Sequence, residues 1–235
     1  MAFSSPRALL FAATLSLLGF AACQAPEKSV KPGINKPFLE ATAEDIQVFV
    51  GIFEGESREI AAASDGIMAA LNIQPGMEIA DLGAGTGLYE PLFQKAVGDD
   101  GRVYAVDLSP AMIDHLNQRV ADENLDRVTV VECSATNCGL ENDSVDLIYI
   151  CDTYHHFEYP QTSLRSIYRA LRSGGTLAIV DFERIEGVSR PWIMNHMRAG
   201  KDVFRAEIEA AGFEFIEEPM VDGLNENYLL LFRRP

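Results

Sequence analysis

Short apolar runs, each closed by an acid, a glycine or a cysteine, alternate along this chain with stretches whose apolar residues recur every three or four positions. The runs predict buried strands of a parallel sheet, and the stretches between them predict amphipathic helices laid on its faces. Strands are expected at residues 79–82, 102–107, 128–132, 145–151 and 176–181. Two helices are expected first, over 44–54 and 57–71, the second with Ile60, Ala63, Ile67 and Leu71 on one face before Pro75-Gly76 ends it. A helix over 89–97 follows the first strand. Ser109-Pro110 then supplies an N-cap and a first-turn proline to a helix striped by Met112, Leu116 and Val120. Residues 161–171 carry Leu164, Ile167, Tyr168 and Leu171 on one helical face. Phe204, Ile208 and Ala211 mark a last helix closed by Gly212, and 213–218 and 227–233 read as two final strands.

The first strand runs straight into three alternate glycines, Ile79-Ala80-Asp81-Leu82-Gly83-Ala84-Gly85-Thr86-Gly87. Gly83 permits the turn, Gly85 lets a ligand approach bare backbone, and Gly87 allows close packing of the following helix. A dinucleotide fingerprint would need glycine at 88, where Leu88 stands, so NAD and FAD are disfavoured. The second strand ends in Asp107, twenty residues after Gly87. A carboxylate at such a strand tip is placed to accept hydrogen bonds from both hydroxyls of a ribose.

These two stretches resemble motif I and the acidic post-I position of the class I S-adenosylmethionine-dependent methyltransferases. Within that class the chain looks most similar to the group holding the ubiquinone and menaquinone C-methyltransferases and the arsenite methyltransferases. The resemblance covers residues 60–232, including Leu171-Arg172-Ser173-Gly174-Gly175, which matches the family's lead-in to strand five with serine for the usual proline. It implies an α/β, Rossmann-like, doubly wound seven-stranded sheet of order 3-2-1-4-5-7-6, mostly parallel with a C-terminal antiparallel β-hairpin. It implies S-adenosylmethionine as the donor and a small-molecule acceptor. Asp81, Gly83, Ala84, Gly85 and Gly87 then fall under the methionine and ribose portions, and Asp107 with Leu108 at the ribose. Ser134 and Ala135 fall beside adenine, with serine where the family often has an acid. Asp152 and Tyr154 fall near the donor or the acceptor mouth. The helices before the first strand become a cover, with Phe53, Glu54 and Arg58 as lining candidates.

The tip of the fourth strand, Cys151-Asp152-Thr153-Tyr154-His155-His156-Phe157, is the richest stretch in substrate chemistry. His155 or His156 is the candidate base if the acceptor must lose a proton. Equally, both imidazoles suit a loop-holding role. No metal site is expected, because adjacent histidines without a third ligand hold a metal poorly. Between strand five and the last helix lie Arg184, Arg190, Trp192, His196, Arg198 and Lys201, a local basic set that reads either as a solvated face or as a substrate-side lid favouring an anionic or aromatic acceptor.

Charge and length refine this picture. The 235-residue chain carries a net charge of −16 with its basic residues scattered, which disfavours nucleic acid as a partner. Residues 1–22 read as a signal peptide, with Arg7 before a 13-residue apolar core at 8–20 that is too short to span a bilayer. Phe20-Ala21-Ala22-Cys23 resembles a bacterial lipoprotein box in which Cys23 is lipidated, with phenylalanine where that box usually carries an aliphatic residue. The expected layout is therefore a signal peptide at 1–22, a proline-bearing tether at 23–43 and one domain at 44–235. The expected location is the cell envelope or periplasm, with membrane contact only through an outer-membrane lipid anchor. In the implied sheet order the tips bearing Cys133 and Cys151 lie three strand spacings, roughly 14 Å, apart, too far for a disulfide, which needs Cα atoms within about 7 Å. Three other readings stay open: a thiol-dependent arsenite-type methyltransferase using Cys133, Cys138 and Cys151, a nucleotide-dependent oxidoreductase, and a non-enzymatic ligand-binding or envelope lipoprotein that keeps the fold.

Overall fold

Each apolar run becomes a strand of one sheet. The computed structural model describes Met1, residues 26–55 and residues 59–235. Its helices and strands run in the order α1 (Lys36–Leu39), α2 (Ala43–Phe53), α3 (Glu59–Ala62), α4 (Ser64–Leu71), β1 (Glu78–Leu82), α5 (Glu90–Val97), β2 (Arg102–Asp107), α6 (Pro110–Asp122), β3 (Val128–Glu132), β4 (Val145–Cys151), α7 (Pro160–Ala170), β5 (Leu171–Phe182), α8 (Pro191–His196), α9 (Lys201–Ala210), β6 (Glu214–Glu217) and β7 (Asn227–Arg233). The sheet order is β3-β2-β1-β4-β5-β7-β6, as the resemblance implied. β1 to β5 are parallel, and β7 lies antiparallel between β5 and β6. This is the expected doubly wound α/β sheet with a C-terminal hairpin.

Both faces are covered, so the central strands are apolar on successive residues. In β4, Ile148 and Ile150 face a layer that includes Leu164 and Ile167 of α7 and Phe204 and Ile208 of α9. Leu147 and Tyr149 face the opposite layer, with Ile67 and Leu71 of α4, Phe93 and Val97 of α5, and Leu116 of α6. That alternation follows from the two-residue period of a strand. Full burial of each such side chain stabilises the fold by roughly 1.5–3 kcal/mol.

Two expectations are corrected. The single helix expected over 57–71 is two helices broken at Ala63, in its described part. The Glu59 carboxylate accepts hydrogen bonds from the backbone N–H groups of Asn225, Glu226 and Asn227 at 2.9, 2.7 and 2.6 Å, which ties α3 to the start of β7. The second correction is to the tether. Its described part, residues 26–43, packs on the domain. The Glu27 carboxylate caps α7 through the N–H groups of Gln161 and Thr162. Val30 N donates to Glu158 O at 2.8 Å, and Ser109 Oγ donates to Phe38 O at 2.7 Å. Its prolines and lysines suggest solvent to a composition-based reading, but the segment docks through backbone and carboxylate bonds that composition does not show. The signal-peptide and lipidation expectations, including Cys23, fall outside the described residues, as does Arg58. Among the described residues no helix is long and apolar enough to cross a membrane.

Candidate functional site

The carboxyl ends of β1, β2, β4 and β5 open into one cavity of about 700 Å³, roofed by residues of α1 and α2. Asp81, Gly83, Ala84, Gly85, Asp107, Leu108, Asp152, His155 and His156 all line it. Strand tips gather here because parallel strands present the same end to the same edge.

The glycine turn is built by its bonds to β2. Gly83 N and Ala84 N both donate to Val106 O, at 2.7 and 3.0 Å. Gly83 has φ +84°, and a Cβ there would stand 2.3 Å from Thr153 Cγ2, so only glycine fits. A Cβ at Gly85 would meet no atom closer than 3.9 Å, which leaves bare backbone beside open cavity. Gly87 is set back from the cavity: a Cβ there would come to 3.0 Å from Leu116 and 3.1 Å from Arg119 of α6.

Asp107 is buried at the tip of β2. Its Oδ2 accepts from Gly85 N at 2.9 Å and its Oδ1 from Ser109 N at 2.8 Å. Burial pushes its carboxyl above the ordinary value, opposed by the N–H groups of Ser109, Gly85 and Leu108. A carboxylate offers about four lone-pair positions, so capacity remains beyond these backbone donors for a ligand hydroxyl. Behind the turn, Asp81 and Glu90 form a buried acidic pair. Burial, then the charges of Glu90 and Asp107, hold the Asp81 carboxyl well up. Burial pushes Glu90 to about 7, against the pull of Arg119.

Ser134 and Ala135 line a smaller neighbouring cavity that also touches Gly83, Leu108, Thr153 and His156. The large cavity does not include them. Ser134 N is taken by Asn137 O, and Ala135 O accepts from Ser163 Oγ. Tyr154 is also displaced from its expected place: it is fully buried, and its hydroxyl donates to Glu207 Oε2 at 3.0 Å.

At the β4 end a tight turn over Tyr154–His156 carries both histidines into the cavity wall. His155 Nδ1 lies 2.8 Å from Asp181 Oδ1 at the tip of β5, with both side chains buried. His156 Nε2 lies 3.3 Å from Nε2 of His196, which α8 brings over the cavity. One ring nitrogen from each of the three histidines lies within 4.8 Å of the others. The expectation of no metal site rested on a missing third ligand, and His196 now lies beside the pair. Burial, then the neighbouring imidazoles, push His156 down to about 2. Burial, then the neighbouring His155 imidazole, push His196 down to about 4. Both rings are therefore neutral at physiological pH.

The basic set divides. Arg190, Trp192 and His196 line the cavity, and Arg190 pairs with Glu226 at 2.6 Å. Arg198 turns inward instead, forming a bidentate pair with Glu207 at 2.8 and 2.7 Å. Lys201 pairs with Glu183 and Glu218, and Arg184 donates to Met194 O. Phe53 lines the cavity as expected of a cover residue, whereas Glu54 is paired with Arg119 at 2.6 Å.

Several cavity residues escaped the sequence reading. Asn35 donates from Nδ2 to His156 O at 3.0 Å, and Phe38 meets the His156 ring edge-on. Phe49 stacks on Phe53. Asn227 donates to Asp152 Oδ1 at 2.6 Å, holding a residue whose φ is +46°. Asp181 carried a signal that was there to use, since it closes an apolar strand at the ligand-bearing edge. Asn35, Phe38 and Phe49 carried none, because no spacing relates them to the sheet.

Among the described residues Cys133 and Cys138 form no disulfide. Cys151 lines the large cavity, and Cys133 and Cys138 line the small one. Burial and then the Asp107 charge push the Cys133 thiol up to about 12, so it is a poor nucleophile at neutral pH.

Comparison with known proteins follows this geometry. Residues 80–179 match the family model described as a methyltransferase domain. The ubiquinone/menaquinone biosynthesis C-methyltransferase UbiE of Vibrio parahaemolyticus is 30% identical over 112 residues, 47% of this chain and 43% of that protein. The chain therefore spans less than half the length of that relative. The solved structure of an S-adenosylmethionine-dependent methyltransferase from Aquifex aeolicus aligns over 83% of this chain and 100% of its own, with a TM-score of 0.73 at 21% identity. The structure of a putative S-adenosylmethionine-dependent methyltransferase from Methanococcus maripaludis aligns over 82% of this chain and 93% of its own, with a TM-score of 0.63 at 21% identity. The fold is that of these enzymes.

Proposed function

We propose that the protein is an S-adenosylmethionine-dependent methyltransferase acting on a small-molecule acceptor. One observation carries the reading: the glycine turn, Asp107 and the histidine pair share one cavity large enough for donor and acceptor together. The residues fit the donor. Gly85 leaves open backbone beside the cavity, and Asp107 keeps lone-pair capacity for a ribose hydroxyl beyond its backbone bonds.

S-adenosylmethionine supplies a methyl group already activated on a sulfonium. The chain's own work is then to bind, align and exclude water. Asp107 and the Gly83–Gly87 turn hold the donor, with Leu108 beside the ribose. Phe38, Phe49, Phe53, Phe182 and Trp192 give the rest of the cavity aromatic walls suited to an apolar or aromatic acceptor. Arg190 offers a cation for an anionic group on it. His155, fixed by Asp181, stands in the cavity wall beside the place the acceptor would take.

The sequence pattern also supports export with a lipid on Cys23, which would keep the enzyme at the envelope. Metabolic labelling with a fatty acid, compared between the native chain and Cys23→Ser, tests this. Equal labelling would remove the anchor from the reading.

Calorimetric titration of the full chain with S-adenosylmethionine and S-adenosylhomocysteine tests the function. Micromolar binding that Asp107→Ala removes is the expected result. No binding by folded protein would overturn the reading in favour of a non-enzymatic lipoprotein.

A further inference from the structure

We propose that His155, His156 and His196 form a binding site for one divalent transition metal of the zinc or cobalt class, facing the same cavity. The site goes beyond the methyltransferase reading. Only the role given below to its fourth ligand rests on that reading.

The geometry of the three rings is that of a nearly assembled site. His156 Nε2 and His196 Nε2 stand 3.3 Å apart. Two imidazole nitrogens at zinc-ligand distances of about 2.0–2.1 Å on a tetrahedral centre are separated by about 3.3–3.4 Å. The third ring completes the set with its ligand nitrogen inside the same 4.8 Å group.

His155 carries the support that such ligands have. Its Nδ1 bonds to Asp181 Oδ1, which leaves Nε2 with its lone pair for the metal. Asp181 is itself held by two backbone donors, His155 N at 3.0 Å and Phe182 N at 2.8 Å. A buried carboxylate that fixes the tautomer and orientation of a ligating histidine is the usual outer shell of a metal centre. The other two rings are held as well. Trp192 stacks on His196 with ring centroids 4.7 Å apart, and Phe38 meets His156 edge-on at 5.2 Å. Their backbones are pinned by the N-terminal segment, Asn35 Nδ2 donating to His156 O and Lys31 Nζ to His196 O.

Three imidazole nitrogen donors suit zinc, cobalt, nickel or copper, and disfavour magnesium and calcium, which take oxygen ligands. Three protein ligands also leave a coordination position open, as catalytic zinc sites do. Because all three rings line the cavity, the group that fills that position is a hydroxyl or thiol of the acceptor. Coordination would release that group's proton to solvent and leave it ready to accept a methyl group.

The test uses the full chain, stripped with chelator and titrated with cobalt(II) chloride while the visible absorption is followed. One cobalt per chain, with the intense bands of a low-coordinate nitrogen site and displacement by zinc, is expected. His196→Gln, at a half-buried position, and His156→Gln should each abolish the bands. Asp181→Asn should weaken uptake by about ten- to a hundredfold. Donor binding is measured calorimetrically on the same samples, and His196→Gln should leave it intact. No cobalt uptake by protein that still binds the donor would overturn the metal site alone, leaving His156 and His196 as a simple hydrogen-bonded pair. Uptake that survives both His196→Gln and His156→Gln would overturn it too. Uptake without donor binding would instead overturn the methyltransferase reading and leave the metal site standing.

Discussion

Asp107 Oδ2 accepts a hydrogen bond from Gly85 N at 2.9 Å, so the acid at the tip of β2 and the glycine turn after β1 are one structural unit. The same carboxylate that we propose for the ribose also fixes the turn on which the rest of the donor would lie. Asp107→Ala removes both roles. Hydrogen bonds to a charged group contribute about 1.5–3 kcal/mol each, so donor affinity should fall at least about tenfold per lost hydroxyl contact, together with a drop in melting temperature. Calorimetry and a thermal scan on one preparation check this. Unchanged donor affinity would remove Asp107 from the site.

Gly83 and Thr153 make a second, steric coupling between strand tips. Gly83→Ala places a methyl 2.3 Å from Thr153 Cγ2 in a backbone with φ +84°. The expected outcome is a loss of donor binding and a destabilisation above about 1 kcal/mol, since positive φ alone costs an L-residue that much. Adding Thr153→Ala should recover part of the stability, because it removes the Cγ2 and Oγ1 contacts and leaves the backbone strain together with a tight 2.8 Å approach to the remaining Cβ. Full recovery in the double variant would show that strain contributes nothing here.

The acidic pair behind the turn makes stability depend on pH. Glu90 is fully buried, its oxygens lack hydrogen-bond partners among the described residues, and its pKa is raised from 4.5 to about 7. Between those values the folded chain holds a proton that the unfolded chain has lost, so this group's contribution to stability falls as pH rises from about 4.5 to about 7. Asp81, shifted in the same direction, adds to the trend. Glu90→Gln should therefore raise the melting temperature at pH 8 and change it little at pH 4. Urea midpoints across that range would measure it, and parallel curves for the two proteins would refute the assignment.

Arg198 and Glu207 test the division of the basic set. Their bidentate pair is largely buried, beneath the Tyr154 hydroxyl and against the Phe204 ring. Glu207→Ala strands the guanidinium and should cost about 3 kcal/mol, which for a chain of this size lowers the melting temperature by about 6–12 °C. Donor affinity of the folded fraction should stay as it was. A selective loss of donor or acceptor binding without destabilisation would return Arg198 to the substrate side.

Local pattern was enough to place the strands, because a buried parallel strand must be apolar on both faces and must end where its ligand-bearing edge begins. Ile79 to Gly87 and Val103 to Asp107 announced the donor side in this way, and the run after Arg172 announced the central strand beside it. The helix break at Ala63 was not legible, since the apolar spacing of Ile60, Ala63, Ile67 and Leu71 runs through it, and the Glu59 carboxylate that ties α3 to residues 225–227 finds its partners far along the chain. Residues 26–43 misled for a related reason: prolines and lysines describe a solvated segment only until its backbone finds partners.

The sequence by itself determined the sheet, its glycine turn and the acid that serves it, because each is a matter of residues close together in the chain and of a periodicity that burial enforces. Only the tertiary structure decided what the histidines are. His156 and His196 are forty residues apart, and Asp181 sits between them in sequence. They meet because β4 and β5 are parallel neighbours whose tips share one edge, and α8 then folds back over it. No spacing along the chain records that return, since it is set by how the helix packs and by the docked N-terminal segment that holds its end.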